Sequence, residues 1–453
     1  MIQKPKGTYD VFGKKGENLL YLRNIIETLM EKYNYEYMRT PVFESSELFH
    51  RGVGETTDIV SKETYDFIDR GNRNMTLRPE GTAGIARSFI ENKMYANANQ
   101  PVKAWYYENM YRYERPQAGR FRELTQFGVE VFGSNDPAID AEVISIPVNF
   151  YKILGLKQIK VHINSLGDNE SRNNYREALK KHFESHLDEL CEDCKVRFQK
   201  NPLRLLDCKV DKDLEVMKTA PKIIDYLNDE SKLHFERVCE YLTAMGIEYV
   251  IDPSCVRGLD YYTNTVFEVE ASVEGFGAQN ILCAGGRYNN LVKALGGPDT
   301  PGVGFALGFE RLLTALEYEH INLTDENGVD VFIMPMSEDE KAYSLSILNA
   351  LRMNGFKVDM DYMSRNIKSN FKQAERLNAK YVMIIGDEEI NTNVLTIKDN
   401  KTKEEFKVNL SEVVPFLDDK LDECDCGCQD GDECHCGDNC TCGDNCTCHR
   451  EEE

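Results

Sequence analysis

The sequence predicts an α+β protein: an antiparallel sheet flanked by helices and carrying a helical insertion, then a small α/β unit, then an acidic tail. Three observations support this. Residues 102–114, 125–132 and 262–270 are dense in β-branched and aromatic residues, as strands of one antiparallel sheet would be. Between about 168 and 245 the composition shifts to long charged stretches with helical spacing, such as Glu170 to Leu190 and Asp213 to Leu227. From Asp330 to Ile385 strand-like and helix-like segments alternate, the order of a small α/β unit.

Taken from the start, Leu19, Leu22, Ile26 and Leu29 recur at three- and four-residue spacing and predict a helix over 17–31. A strand over Tyr35–Val42, broken by Pro41, follows. The helix after Arg311 runs out through Glu319, and the polar stretch 322–328 is a link. In the second unit the segments are Asp330–Met336, Ser337–Asn354, Phe356–Met360, Arg365–Leu377 and Lys380–Ile385. Ser337 with Glu340 offers a capping box, and Gly355 a helix stop. The expected domains are 1–321, with its insertion at about 168–245, then 329–417, and the tail 418–453.

A chain of 453 residues exceeds what one core usually organises. At 41% hydrophobic and 29% charged residues, with no long apolar run, the sequence argues against a membrane protein. Met1–Asp10 has the pattern of neither a secretory signal nor a transit peptide, so a cytoplasmic location is expected. The net charge of −23 argues against a simple basic nucleic-acid binder, but thirteen acidic and two basic residues lie in 418–453, so the tail carries nearly half of the imbalance. A local basic surface on the rest remains compatible with RNA.

The segment Trp105–Phe132 is the most informative. Strand alternation sets Arg112 and Glu114 on one face, and Gln126, Gly128 and Glu130 on one face of the next strand. Phe127, Val129 and Val131 point the other way, to pack. Gly128, without a side chain, is expected to leave room for a ligand between Gln126 and Glu130, and Pro116–Arg120 is a hairpin loop suited to phosphates. Arg78-Pro-Glu-Gly-Thr-Ala83 puts a carboxylate beside a glycine turn, fit for an ammonium group. Arg257-Gly-Leu-Asp-Tyr-Tyr262 supplies a cation and two phenols, Ala284-Gly-Gly-Arg-Tyr288 a glycine-rich turn, and Gly302–Arg311 a glycine-studded strand running into a helix. Each alone is compatible with a solvated sheet face or an exposed turn; all five together point to a site.

These residues resemble the class II histidyl-tRNA synthetases, from residue 3 to about 417. The segment 105–132 is similar to the second class II motif, Gly302–Leu312 to the third, and the helix and strand ending at Pro41 to the first, dimer-forming one. Arg257–Tyr262 and Leu282–Tyr288 are similar to the two signatures peculiar to the histidine enzymes. The resemblance implies a six-stranded antiparallel catalytic sheet, a homodimer, an anticodon-binding C-terminal domain, and histidine, ATP with Mg²⁺, and tRNA(His) as partners.

Carried over by the resemblance, Glu80, Thr82 and Gln126 would hold the amino group of histidine, and Glu130 and Tyr262 its imidazole, with Tyr261 and Tyr288 completing the histidine set. Arg112 and Arg311 would clamp ATP phosphates, with Glu114 near the adenine and Arg120 and Leu124 in the ATP set. Arg257, with Arg112 the catalytic pair, would lie against the α-phosphate and the histidine carboxylate. Leu124 departs from the family, which usually has a phenylalanine there stacking on adenine; weaker ATP binding is expected.

Nine of the fifteen cysteines fall in the tail. Cys424, Cys426, Cys428, Cys434, Cys436, Cys440, Cys442, Cys446 and Cys448, with His435 and His449, resemble metallothioneins in spacing only, and roughly two to three zinc or other soft ions are expected. An acidic appendage without stable metal is the alternative. Cys191, Cys194 and Cys208 suggest a zinc site but have no nearby fourth ligand, and are expected to be ordinary buried or surface thiols; Cys239, Cys255 and Cys283 are expected in the core. Two rival functions stay open: a regulatory binding protein on the synthetase fold, and a metal-storage protein with a vestigial enzyme portion.

Overall fold

The helical spacing near the N-terminus falls on α1, Lys14–Tyr33, which buries Leu22, Ile26, Leu29 and Met30 and stops at Asn34 in the left-handed conformation. The expected strand over 35–42 shrinks to β1, Glu36–Tyr37. Its C-terminal half is diverted: the Thr40 N–H goes to Glu108 at 2.8 Å and the Thr40 carbonyl takes Arg78 Nη1 at 2.8 Å, so no ladder continues. The computed structural model describes residues 1–422 apart from 55, 56, 58, 116–118, 207, 209, 257–260, 274–279 and 325–327. The chain divides into two compact units, Met1–Leu323 and the residues from Thr324 on.

In the first unit, β2 (Phe43–Ser45), α2 (Ser46–Val53), β3 (Tyr65–Ile68) and β4 (Asn74–Leu77) build a small antiparallel sheet of order β2-β4-β3 with its helix, and α3 (Thr82–Glu91) follows. Next come β5 (Val102–Tyr111), β6 (Glu123–Phe132), α4 (Pro137–Ile153) and β7 (Ile159–Ser165). The insertion holds α5 (Asn169–Phe183), α6 (Glu192–Lys200), α7 (Glu215–Lys218) and α8 (Asp229–Ala244). Then β8 (Tyr249–Ile251), β9 (Thr263–Ala271), β10 (Ile281–Arg287), α9 (Leu291–Ala294), β11 (Gly302–Gly308) and α10 (Phe309–Tyr318) complete the unit.

The main sheet has eight strands in the order β1-β5-β6-β11-β10-β9-β7-β8. The six central strands are antiparallel, as the resemblance implies; β1 on β5 and β8 on β7 add parallel edges. Phe127, Val129 and Val131 pack on one face with α1 and α4 side chains such as Ile26, Phe150 and Tyr151, which leaves the other face of β6 for polar groups. The strand expected over 102–114 ends at Tyr111, after which the Arg112 N–H still reaches the Arg122 carbonyl at 2.9 Å.

Within the insertion, the helix expected over 213–227 is one turn, α7, and a 3₁₀ turn at Ile223–Tyr226. Pro221 between them lacks the N–H and the steric room that a continuous helix needs. Cys191, Cys194 and Cys208 are free thiols as expected, but they converge, and Asp211 supplies the fourth group that the sequence reading did not find.

The second unit runs β12 (Val331–Pro335), α11 (Lys341–Met353), β13 (Val358–Met360), α12 (Ile367–Arg376), β14 (Tyr381–Ile385), α13 (Asp387–Thr392), β15 (Val394–Asp399), β16 (Glu405–Asn409) and α14 (Val413–Asp422). Its sheet, ordered β13-β12-β14-β15-β16, is parallel over the first three strands and antiparallel thereafter. Glu340 accepts the Ser337 N–H at 2.6 Å, half of the expected box, but α11 starts only at Lys341. Gly355, at φ 93°, follows its end. The helix α14 passes residue 417 because Leu421 also packs on the core that buries Leu417. No helix among the described residues is long and apolar enough to cross a membrane.

Candidate active site

The polar face of β6 opens into a cavity of about 610 Å³, walled by β6, β9, β10, β11, the start of α10 and the turn before α3. Of the sequence-predicted residues, Glu80, Thr82, Gln126, Tyr261, Tyr262 and Tyr288 line it, and so do Arg112, Glu114, Arg120, Leu124 and Arg311. Glu130 does not. Arg257 and the tail residues from Cys424 to His449 lie outside the described residues.

One end is built for a cation. Glu80 sits just before α3 and accepts the N–H groups of Thr82 at 2.8 Å and Ala83 at 2.9 Å. Burial pushes its carboxyl up from the ordinary value, opposed by those hydrogen bonds and by Arg112. The turn is anchored from behind by Arg78, which donates to the Asn109 carbonyl at 2.8 Å and pairs with buried Glu108 at 2.7 Å. In the same cavity, the buried Oε1 of Gln126 has no hydrogen-bond partner among the described residues. An unmet buried acceptor beside a carboxylate is a costly arrangement that a donor-rich ligand would relieve.

Glu130 lies behind this wall, fully buried. Its carboxylate accepts from the hydroxyls of Thr82 at 2.6 Å, Tyr106 at 3.4 Å and Tyr288. Burial pushes its carboxyl up to about 8, against those hydrogen bonds and with the help of Glu80 nearby. The room expected beside Gly128 is taken: Tyr106 stands opposite it in register, and a Cβ at Gly128 or Gly81 would fall on the Tyr106 ring. Gly304 faces Glu130 across β11, and a Cβ there would meet the Glu130 carboxylate; one at Gly302 would meet the Tyr288 ring. Tyr261 packs against Tyr262 and Tyr288 with ring centroids 4.6 and 5.7 Å away.

The same cavity is also lined by three guanidinium groups. Arg112 donates to the Pro79 carbonyl at 2.7 Å, and Arg120 lies 3.4 Å from Glu114, which also faces Arg112 at 3.8 Å. Arg311 donates to the Ile281 carbonyl at 2.9 Å from the first turn of α10. Burial holds its guanidinium below the usual value, and the charges of Arg120 and Arg112 push it the same way. Three guanidinium groups lining one cavity suit polyanionic groups. Leu124 and Phe121 form an apolar wall beside them.

Sequence reasoning missed four residues. Tyr106 was read only as part of a strand, though its register opposite Gly128 is the signal. Glu310 is buried, accepts Tyr9 Oη at 2.6 Å and the Thr125 N–H at 2.7 Å, and fixes β6 against α10. Glu268 lines the cavity from β9. Arg287 ends strand β10, in place of the expected glycine-rich turn; it is fully buried and paired with Asp140 at 2.6 Å, so it braces the sheet outside the cavity. Burial alone would raise the Asp140 carboxyl, yet Arg287 and His234 leave it below the usual range.

Comparison with known proteins bears on this geometry. The family described as histidyl-tRNA synthetase matches residues 7–312, and the anticodon binding domain matches 330–420. A histidine–tRNA ligase of Geobacillus sp. (strain WCH70) is 54% identical over 420 residues, 93% of this chain and 99% of the relative. One of Anoxybacillus flavithermus is 52% identical over 416 residues, 92% of this chain and 98% of the relative. The crystal structure of apo S. aureus histidyl-tRNA synthetase superposes with a TM-score of 0.79 at 43% identity, covering 92% of this chain and all of that one.

Proposed function

We propose a division of labour for this pocket from one premise: the chain belongs to the histidyl-tRNA synthetase family and is a histidine–tRNA ligase. It activates histidine with ATP, releasing pyrophosphate, and passes the histidyl group to tRNA(His). The observation that carries the assignment of roles is one cavity lined both by Glu80 and the unpartnered Gln126 oxygen and by the guanidinium groups of Arg112, Arg120 and Arg311. An amino acid is cationic at its amine, and ATP is anionic along its phosphates.

Glu80, Thr82 and Gln126 take the ammonium group. Tyr261, Tyr262 and Tyr288 surround the imidazole. Glu130 meets that ring only where the Thr82 or Tyr288 hydroxyl releases its carboxylate; otherwise it acts by fixing Tyr288. Arg112, Arg120 and Arg311 offset the charge that builds on the phosphoryl oxygens as the histidine carboxylate attacks the α-phosphorus in line, so orientation and fixed charge supply most of the acceleration. Leu124 and Phe121 offer the adenine an apolar surface. Glu114 and Glu268 present the oxygen donors that Mg²⁺ prefers and would hold it; when bound, the ion would neutralise charge on the pyrophosphate. Arg257 we assign to the α-phosphate and the histidine carboxylate.

The second unit reads the anticodon, two chains associate through α1 and its following strand, and the enzyme works in the cytoplasm. The tail binds zinc or another soft metal. Retained arginines and a matched anticodon domain count against a regulatory or a storage protein. Histidine-dependent exchange of pyrophosphate into ATP tests the reading, and Arg257→Ala is expected to abolish most of it while leaving the fold and histidine binding intact. Absence of exchange in the intact protein would sink the enzyme reading; near-normal exchange in the variant would remove Arg257 from it.

A further inference from the structure

The helical insertion contains a second cluster of reactive groups that the synthetase reaction does not use. Cys191 precedes α6 as its N-cap residue, and Cys194 lies in its first turn. Cys208 and Asp211 come from the segment after the 3₁₀ turn Pro202–Leu205. The four ligand atoms all lie within 4.8 Å of one another. In sequence the set reads Cys-x₂-Cys-x₁₃-Cys-x₂-Asp, two close pairs separated by a loop. The paired arrangement is that of many zinc sites, with a carboxylate in place of the fourth thiol.

Geometry favours a metal over a disulfide or unconnected thiols. Cys191 Sγ and Cys208 Sγ are 3.8 Å apart. A disulfide needs about 2.05 Å. Two sulfurs each about 2.3 Å from one zinc ion at the tetrahedral angle stand roughly 3.8 Å apart. The backbone already holds the ligands: the Cys191 N–H donates to Asp211 Oδ2 at 3.0 Å, and the Asp211 N–H to Cys208 Sγ at 3.4 Å. Cys194, Cys208 and Asp211 are buried, at 0, 6 and 4% exposure. Among the described residues no lysine or arginine pairs with Asp211. The three thiols and the Asp211 carboxylate thus face one another in a largely buried corner, a donor set that a divalent cation takes.

We propose that Cys191, Cys194, Cys208 and Asp211 bind one zinc ion as a closed, structural site. Binding displaces three thiol protons to solvent and leaves no open coordination position, so the ion does no chemistry on substrate. It ties the start of α6 to the following loop in a region where α7 is a single turn and much of the chain is 3₁₀. Cys194 and Cys208 belong to the same apolar cluster as Tyr175 and Leu179 of α5 and as Tyr261, Tyr262 and Tyr288 of the pocket. The ion therefore braces the insertion from the side that packs toward the histidine end. This proposal does not depend on the substrate assignments above.

The test measures zinc directly, by elemental analysis of the full chain and of a chain ending at Asp422. The shorter chain keeps both matched segments, residues 7–312 and 330–420, and the alignments of 420 and 416 residues cover 99 and 98% of the two relatives. One tightly held ion per shortened chain is expected, lost in Cys194→Ser and in Cys208→Ser, and held at least tenfold more weakly in Asp211→Asn under chelator competition. In the full chain the same serine variants should carry one ion fewer than their parent. X-ray absorption on the unaltered shortened chain keeps the outcome independent of how the variants fold: three sulfurs at about 2.3 Å and one oxygen at about 2.0 Å are expected. A shortened chain that takes up no zinc, an equal zinc content in the serine variants, an all-sulfur shell, or a Cys191–Cys208 disulfide found by mass after alkylation would each overturn the proposal.

Discussion

Replacing Glu130 by glutamine tests whether the buried carboxyl behind the pocket is neutral at physiological pH. Burial pushes it up to about 8 in the folded chain from an ordinary 4.5. The native state therefore keeps the proton over a range in which the unfolded state has lost it. The stabilising contribution is full below about pH 4.5 and is lost as the pH rises through about 8, at about 1.4 kcal/mol per unit in between. Glutamine keeps the neutral shape at every pH, and the Thr82, Tyr106 and Tyr288 hydroxyls can each turn to donate or accept. Other titrating groups cancel in the comparison. Between pH 5.5 and 7.5 the stability of the parent relative to Glu130→Gln should fall by about 3 kcal/mol, and it should level off above about 8. Urea melts followed by fluorescence of Trp105, the single tryptophan, report the first unit alone, since that side chain packs on Tyr37 and Phe127. A difference that stays constant from pH 5.5 to 8.5 would refute a protonated Glu130.

Three other outcomes follow from the packing and charge of the site. Gly304→Ala sets a methyl group on the Glu130 carboxylate and the Val129 carbonyl, so about 1–3 kcal/mol of stability and most histidine-dependent exchange should be lost; a folded variant with parental exchange would contradict the close approach. Arg311→Ala should lower pyrophosphate exchange by about 10²–10³-fold, while histidine binding measured by calorimetry changes little; equal losses in both would place Arg311 outside the phosphate end. Removing 423–453 should leave aminoacylation within twofold and abolish binding of several metal ions per chain, and retention of that binding would end the tail hypothesis.

Much of the first unit was legible because its signals are local. The apolar stripe of α1 repeats every three or four residues, and β5 and β6 carry ten residues each of dense β-formers. The second unit was harder beyond Ile385. Strand β16 has only Phe406 and Val408 as apolar markers among charged residues, and α14 has Pro415 in its first turn, where proline is tolerated though it reads as a breaker. The cysteine cluster escaped because its fourth group is a carboxylate, a residue type so common in this acidic chain that spacing alone does not single it out.

The pocket shows why alternation assigns a face but not a depth. Gln126, Gly128 and Glu130 do share one side of β6, yet of the three only Gln126 meets the cavity. What separates them is the strand on either side. β5 brings Tyr106 opposite Gly128, so the missing side chain is space for a protein ring and not for a ligand. β11 brings Gly304 opposite Glu130, so a carboxylate sinks into the sheet, and Gly302 makes the same allowance for Tyr288, whose hydroxyl closes over that carboxylate. Gly302 and Gly304 are therefore the sequence record of which neighbours are large. A glycine spaced two residues from another on a strand predicts a bulky, buried partner across the ladder as readily as it predicts a binding groove. The register, a tertiary fact, decides between the two.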